Sequence, residues 1–415
     1  MNAVRAVVLL AAMVAGTAPG VASALPASDA QVDRRREATP GMVPASDTRG
    51  TRGRAAPPSA APVSDTRGTR RREAKPSGAP EPRVEVRILS KHRPARLRLD
   101  GPRSLEVVAS RDVLLVEGRA VPQPLRLEAG RWRVRGSGLD RRYEGSLSLE
   151  ARAGELIPIA TFALETYVAA VTASETEVDT PFEALRAQAI TARSYALASG
   201  RRHEEAQACD LTHCQVLRGE GFARHLGRSR DAARSTEGVV LRLPDGSIAL
   251  APFHGSCGGH TAEPVAVFGA PDLSGAAAMP DRCPPSAWSA VVSRALVTAA
   301  ATEALGGPVQ AADLLLDRDS SGAVVRVVDR ASGRAARGDA FFRALGARAG
   351  WDRIRSARFS LAFGGDRVLF EGQGHGHGVG LCQAGAALLA RQGQTAEQLL
   401  AHYFPRALLW NPKDK

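Results

Sequence analysis

Beyond residue 24, the 415-residue sequence has no apolar stretch long enough to cross a membrane. Aromatic residues make up only 5% of the chain and are not interleaved with its basic residues. That pattern argues against nucleic-acid binding, despite a formal net charge of +12. The two absences indicate a soluble or membrane-peripheral protein with no nucleic-acid partner.

The N-terminus has the three parts of a secretory signal. Arg5 precedes an apolar run over residues 6–15, and Ala22-Ser23-Ala24 forms an A-x-A cleavage site. The run is too short for a bilayer span. We predict a signal peptide over residues 1–24 and a periplasmic or secreted protein; an uncleaved anchor is the alternative.

Residues 25–83 are rich in Pro, Ala, Ser, Gly and Arg and contain an internal repeat. The heptapeptide SDTRGTR occurs at 46–52 and again at 64–70. Such a composition buries too little apolar surface to fold, which predicts a disordered linker. Residues 27–83 contain 12 Lys and Arg against 7 Asp and Glu, a net charge of +5. This linker is either a weak contact for an anionic wall or membrane surface or a solvated spacer.

The remaining chain predicts an α+β fold over residues 84–410. Alternating apolar and polar residues at 84–89, 95–99 and 132–135 indicate an N-terminal antiparallel β subdomain over 84–160. Residues 161–410 predict a mixed helical and β catalytic core against which this subdomain packs.

Within that core, local patterns predict helices, strands and one hairpin. Thr180 as N-cap with Glu183 as capping-box partner predicts the start of a helix, and Thr395 with Gln398 predicts another. The hairpin is predicted to join 239–243 to 248–250. The other predicted elements are helices at 164–171 and 384–391 and strands at 324–328, 358–363 and 367–370.

Residues 374–383 read GHGHGVGLCQ and carry the most unusual composition of the chain. Glycine at this density costs backbone entropy and gives no side-chain packing. It indicates a backbone that must approach another group closely, with imidazoles beside it.

A second segment, Ser174-Glu175-Thr176-Glu177, lies between two predicted helices. A glutamate in such a connector can have one dry face, and desolvation then raises its pKa and makes it a usable general acid. The like charge of Glu177 could raise the pKa of Glu175 further. The alternative is a pair of solvated loop glutamates.

Four ordered motifs resemble the stage II sporulation protein D family (SpoIID/LytB domain) over about residues 84–404. They are 164–168 with Glu175 and 183–196, then 209–215, then 253–261, then 376–383. One departure is local: Thr176, Glu177 and Thr180 stand where many relatives have Pro and Trp.

The resemblance implies a lytic transglycosylase that acts on peptidoglycan glycan strands, in some members on strands stripped of stem peptides. Glu175 would protonate the glycosidic oxygen between N-acetylmuramic acid and N-acetylglucosamine and then accept the proton of the muramic 6-hydroxyl. One carboxylate suffices because the sugar supplies the nucleophile, so no cofactor is required. The alternatives are a non-catalytic glycan-binding enhancer of a cell-wall amidase and, more distantly, a metal-dependent hydrolase.

The same resemblance assigns further residues to the cleft. Arg193 would bind the lactyl carboxylate or substrate hydroxyls near Glu175, or else lie on the helix surface. His377 would contact the sugar or hold its own loop through backbone carbonyls. The implied substrate-binding set is Gln188, His254, Ser256, His377 and Gln383. We expect residues 374–383 to lie close to Glu175 across a groove.

The five cysteines leave two interpretations open. Disulfides Cys209–Cys214 and Cys257–Cys283 would leave Cys382 free. The competing interpretation is a structural zinc site, which some relatives of the resembled family carry in this region. Its ligands would be His203, Cys209, His213 and Cys214.

Overall fold

The computed structural model describes residues 81–219, 225–269 and 272–413. The predictions of a signal peptide at 1–24 and of a linker up to residue 80 lie outside these residues. Within them the fold is α+β, as the sequence predicts. No described helix is both long and apolar enough to span a bilayer.

A nine-stranded sheet forms the N-terminal part. Its strands alternate in burial: in Arg96–Asp100, Leu97 and Leu99 are buried while the arginines face outward. The strand order is β5-β4-β3-β2-β6-β7-β8-β1-β9, antiparallel except for β1 with β9. The strands are β1 (Arg83–Arg87), β2 (Arg96–Asp100), β3 (Ser104–Ser110), β4 (Val113–Val116), β5 (Arg119–Val121), β6 (Leu125–Gly136), β7 (Leu139–Arg152), β8 (Glu155–Ala163) and β9 (Ala208–Cys209).

Three helices follow strand β8, and all three contribute residues to the core of the sheet. Helix α1 (Leu164–Glu175) continues directly from β8 and is followed by α2 (Phe182–Ala198). Val168 of α1 and Ala192 of α2 pack with sheet residues in one hydrophobic cluster. Helix α3 (Leu226–Ser235) contacts both α1 and α2. Glu175 therefore ends a helix that is anchored along its length by the sheet.

The C-terminal part consists of small sheets and five helices in the described residues. Strands β10 and β19 form one antiparallel pair, β11 and β18 form a parallel pair, and β12-β17-β16 and β13-β14-β15 form antiparallel sheets. The elements are β10 (Val240–Arg242), β11 (Phe253–His254), α4 (Pro264–Phe268), β12 (Ala287–Ser293), α5 (Arg294–Leu305), β13 (Leu314–Arg318), β14 (Val324–Asp329), β15 (Ala335–Arg337), α6 (Gly338–Ala349), β16 (Phe359–Gly364), β17 (Arg367–Gln373), β18 (Leu381–Cys382), α7 (Gln383–Arg391), α8 (Ala396–Tyr403) and β19 (Leu408–Trp410).

Two local predictions are wrong. Pro181, not Thr180, is the N-cap of α2, and it provides no side-chain cap. Glu183 instead accepts a hydrogen bond from the Ala396 N–H at 2.8 Å, so it joins α2 to α8. The predicted hairpin is reduced to a bridge between Arg242 and Ile248 with two flanking backbone hydrogen bonds, and β10 pairs along its length with β19 instead.

Other local predictions are confirmed. Thr395 and Gln398 form a complete capping box at the start of α8. Strands β14, β16 and β17 and helix α7 occur where the sequence predicts them. The glycine-histidine segment, residues 374–383, leaves β17 and leads through β18 into α7.

Candidate active site

Glu175 is held at the end of α1 by a neighbouring segment of the chain. One carboxylate oxygen, Oε1, accepts a hydrogen bond from the Val216 N–H at 2.6 Å. The adjacent Ser174 Oγ accepts one from the Arg218 N–H at 3.0 Å. The position of the carboxylate is thus fixed by backbone donors on both sides of Leu217.

Desolvation dominates the electrostatics of this carboxyl. Burial raises the pKa of Glu175 from 4.5 to about 7, although the Val216 hydrogen bond and the Arg218 charge lower it. Glu177 is exposed and makes no contribution to this shift. A substantial fraction of Glu175 therefore carries a proton at neutral pH, as a general acid requires.

The glycine-histidine segment reaches Glu175 through Gln383, the first residue of α7. The Gln383 side-chain Nε2 donates to the backbone carbonyl of Glu175 at 3.0 Å and to Gln188 Oε1 at 3.3 Å. The expected proximity of residues 374–383 to Glu175 is confirmed at this end of the segment.

The alternating glycines of this segment serve its packing against residues 252–262. Gly376 has φ +97°, and a Cβ there would lie 2.9 Å from the Cβ of His254. Gly380 has φ +73°, and its Cβ would overlap the carbonyl oxygen of Pro252. The sequence predicted a close backbone approach at these glycines. At these two positions the neighbour is the protein's own chain and not a sugar.

Two histidines from the two packed segments lie side by side. His254 Nδ1 donates to the Val379 carbonyl at 3.1 Å, and His377 Nδ1 accepts from the Val379 N–H at 3.1 Å. Their ring centroids are 5.5 Å apart. Burial lowers the pKa of His254 to about 4 and that of His377 to about 3, so both are neutral at pH 7. The backbone contact of His377 is the loop-holding role that the sequence left open.

A single cleft collects most of the predicted site residues. Its volume is about 2610 Å³, several times the roughly 300–1,000 Å³ of a small-molecule pocket. The predicted residues that line it are Glu175, Gln188, His254, Ser256, His377 and Gln383. A groove of this size suits an extended polymer better than a small metabolite.

Arg193 lies apart from this group, contrary to both of its predicted placements. Its side chain is 0% exposed and forms a paired contact with the Glu165 carboxylate, with Nε to Oε1 at 2.9 Å. It also donates to the Val239 carbonyl at 3.0 Å. Arg193 therefore joins α1, α2 and the chain after α3, and it is not among the residues that line the cleft.

The histidine-cysteine cluster predicted as a metal site is assembled. His203 Nε2 lies 3.2 Å from Cys214 Sγ, and Cys209 Sγ lies 3.1 Å from His213 Nε2. All four ligand atoms lie within 4.8 Å of one another, and the set of two nitrogens and two sulfurs fits a tetrahedral zinc ion. Both cysteines are free thiols, so the predicted Cys209–Cys214 disulfide is absent.

The sequence missed two parts of the site, and the first is the segment formed by residues 215 and 216. Val216 acts through its backbone N–H, and a backbone donor leaves no trace in residue identity. The side chain of Gln215 accepts a hydrogen bond from the Tyr167 hydroxyl at 2.8 Å. The only sign of this residue in the sequence is its position next to Cys214. The second missed feature is a group of Cys257, Cys283 and Cys382 with Asp281, all free of disulfides.

Comparison with known proteins agrees with the predicted resemblance. Residues 152–242, from the end of β7 to β10, match the family model described as SpoIID, Stage II sporulation protein. Stage II sporulation protein D of Bacillus amyloliquefaciens is 27% identical over 261 residues, which cover 58% of this chain and 72% of the relative. Stage II sporulation protein D of Bacillus subtilis (strain 168) is 25% identical over 268 residues, 58% of this chain and 72% of the relative. An uncharacterized protein of Brachyspira hyodysenteriae is 26% identical over 272 residues, 63% of this chain and 70% of the relative.

Proposed function

We propose that this chain, whose residues 152–242 match the family model described as SpoIID, Stage II sporulation protein, is an exported lytic transglycosylase of peptidoglycan. The bond cleaved is the one between N-acetylmuramic acid and N-acetylglucosamine. The observation that carries the proposal is Glu175: a carboxyl facing the cleft whose pKa is raised by burial to about 7.

The proton transfers balance with one carboxyl group. Protonated Glu175 gives its proton to the glycosidic oxygen as the bond to the anomeric carbon breaks. The resulting carboxylate accepts the proton of the muramic 6-hydroxyl, whose oxygen closes on the anomeric carbon. The product has a 1,6-anhydro end, no water is consumed, and Glu175 regains its proton. A pKa near 7 suits both transfers at neutral pH.

Two cleft-lining side chains have a nitrogen without a hydrogen-bond partner in the described part of the chain, and in this proposal each nitrogen reaches the substrate after a local movement that exposes it. Gln188 Nε2 and His254 Nε2 are buried and have no hydrogen-bond partner among the described residues. Gln188 Nε2 is a donor, and His254 Nε2 is an acceptor because Nδ1 donates to a carbonyl. The hydroxyl and acetamido groups of a glycan strand offer partners of both kinds.

The histidine-cysteine cluster has a structural role in this proposal. His203, Cys209, His213 and Cys214 would hold a zinc ion, whose contribution is to cross-link residues 203–214. Gln215 and Val216 follow directly, so the cross-link stabilises the backbone that holds the Glu175 carboxylate. No proton transfer passes through the ion.

The test is digestion of stem-free glycan strands, with products identified by mass spectrometry. Wild type should release anhydro-muramic ends, Glu175→Gln should lose at least about a hundredfold in rate, and Glu177→Gln should stay close to wild type. Glu177 is a matched control because it is an exposed glutamate of the same connector.

Two results would contradict the proposal. Anhydro ends formed at an undiminished rate by Glu175→Gln would remove Glu175 from the chemistry. Retained strand binding by wild type without any anhydro product would instead support the glycan-binding enhancer of a cell-wall amidase. Circular dichroism of each variant confirms that it is folded.

A further inference from the structure

A second group of metal-ligand side chains includes one residue of the glycine-histidine segment, and none of its members lines the cleft. It comprises Cys257 after β11, Asp281 and Cys283 before β12, and Cys382 at the end of β18. One ligand atom from each residue lies within 4.8 Å of the other three. The Asp281 side chain is 0% exposed, and all three cysteines are buried.

Two backbone N–H groups point at the sulfur of Cys382. Cys382 Sγ accepts hydrogen bonds from the N–H groups of Cys257 and Gly385, each at 3.3 Å. Cys382 is also the N-cap of α7, where the partial positive charge of the helix N-terminus stabilises a negative group. These are the contacts that a metal-bound thiolate needs from its protein.

The carboxylate of Asp281 is fixed among the thiols. Asp281 Oδ2 accepts from the Cys257 thiol and from the Tyr403 hydroxyl, both at 3.1 Å. The three cysteines belong to the same apolar cluster as Val379 and Leu381. A carboxylate and three thiols gathered in an apolar interior are costly unless a cation or further hydrogen bonds compensate them.

A disulfide explains this arrangement less well than a metal does. The predicted Cys257–Cys283 disulfide is absent. Such a disulfide would use only two of the four groups, and the Cys382 thiol and the Asp281 carboxylate would remain buried beside it. A zinc ion uses all four groups. Zinc–sulfur bonds of about 2.3 Å in a tetrahedron separate neighbouring sulfurs by roughly 3.8 Å, within the observed limit of 4.8 Å.

We propose that Cys257, Asp281, Cys283 and Cys382 bind one zinc ion through three thiolates and one carboxylate oxygen. Binding releases the three thiol protons to solvent. Four protein ligands close the coordination sphere, so the site is structural. It lies outside residues 152–242, the segment that the family model matches.

The position of the ligands gives the ion a specific task. Cys382 precedes Gln383, whose side chain contacts the Glu175 backbone, and Cys257 lies three residues after His254. One ion would therefore join both packed segments of the cleft wall. This role is independent of whether the cleft cleaves glycan.

The zinc content of the full-length protein tests the proposal, measured by plasma mass spectrometry after purification without chelators. Cys283→Ser should lower the content by one zinc per chain relative to wild type. Ser286→Ala should not, although Ser286 Oγ lies 2.7 Å from Ser256 Oγ beside the cluster. An unchanged content in Cys283→Ser would overturn the proposal.

Two measurements on the unmodified protein guard against a misfolded variant. Zinc X-ray absorption should show more sulfur than nitrogen ligands around the metal. Equal numbers of sulfur and nitrogen ligands, as expected from His203, Cys209, His213 and Cys214 alone, would contradict a second site. Alkylation of unreduced, unfolded protein should label Cys257, Cys283 and Cys382 as free thiols. A disulfide between any two of them would also overturn the proposal.

Discussion

At the scale of single residues, the Glu175 carboxyl sets the pH dependence of the proposed reaction. Its pKa of about 7 means that the acid form is lost as the pH rises through neutrality. We expect the rate of strand cleavage to fall about tenfold per pH unit on the alkaline side. The measurement is a pH–rate profile on stem-free strands; a rate that stays flat up to pH 9 would contradict the assignment.

The same carboxyl affects folding stability in a direction that can be worked out. Its folded pKa of about 7 lies above the ordinary value of 4.5, so the folded state retains a proton that the unfolded state has lost. The resulting stabilisation is full below about pH 4.5 and is lost as the pH rises through about 7.

Glu175→Gln removes this dependence because the amide has no proton to lose. Relative to wild type, its free energy of unfolding should rise between pH 4.5 and pH 8 by on the order of 1–3 kcal/mol. Urea unfolding at the two pH values measures the difference. Glu177→Gln is the control and should follow wild type at both; a Glu175→Gln profile parallel to wild type would refute the raised pKa.

The burial of Arg193 predicts a stability effect and no direct effect on substrate. Arg193→Ala leaves the partly buried Glu165 carboxylate without its partner, which typically costs about 3–5 kcal/mol. Arg193→Lys should recover little, because a single ammonium cannot replace the paired guanidinium contact.

Denaturant unfolding measures the loss, with Arg133→Ala as control. Arg133 pairs with Asp140 on the exposed sheet face, and its removal should change stability little. An Arg193→Ala protein of normal stability with a raised KM would instead restore the substrate-binding role that the sequence predicted.

At the scale of elements, the sequence predicted local patterns well and distant partners poorly. The strand alternation of Arg96–Asp100 and the capping box at Thr395 are fixed by residues a few positions apart, and both are confirmed. The hairpin was predicted over too many residues, and the pairing of β10 with β19 was missed because no local pattern reveals it. Glycine density predicted a close approach at Gly376 but could not identify His254 as the neighbour.

The cost of the close approach can be measured separately from the cost of backbone strain by comparing two glycines with similar φ angles. Gly376 and Gly393 have φ of +97° and +92°, but only at Gly376 would a Cβ meet a neighbour within 4 Å. Alanine at either position should cost about 1–3 kcal/mol for its backbone conformation. Gly376→Ala should cost roughly 1–3 kcal/mol more for the overlap with His254.

Thermal unfolding and strand cleavage both report on this pair. Cleavage by folded Gly376→Ala should fall because the overlap displaces the segment that ends at Gln383. Gly393→Ala should retain wild-type cleavage. Equal stability losses in the two variants would show that residues 374–383 do not need their close packing.

At the scale of the whole molecule, residues 161–410 contain two separate large hydrophobic clusters besides the one shared with the sheet. Val379, Leu381 and Phe404 belong to the cluster behind the cleft wall. Phe341 and Phe370 belong to a separate cluster, formed by elements between β11 and β18. Hydrophobic periodicity identifies buried faces but not which of them meet, so the division was not predictable.

The two clusters should differ in their effect on activity. Phe341→Ala and Phe404→Ala each remove a fully buried ring and should cost about 3–5 kcal/mol. At a temperature where both variants are folded, Phe404→Ala should impair strand cleavage more than Phe341→Ala does, because Phe404 packs beside Gly380 of the glycine-histidine segment. Equal impairment would indicate that the outer cluster also shapes the cleft.

The pairing of β11 with β18 has a consequence for the order in which the protein folds. The hydrogen bond from His254 to Val379 joins residues 125 positions apart, and loop closure over such a length is slow compared with strand pairing between neighbours. The cleft wall should therefore form after the N-terminal sheet. In pulsed hydrogen exchange during refolding, the Leu381 amide should become protected later than that of Leu97. A newly synthesised chain would then pass through a period in which Glu175 is in place but the cleft wall beside it has not yet formed.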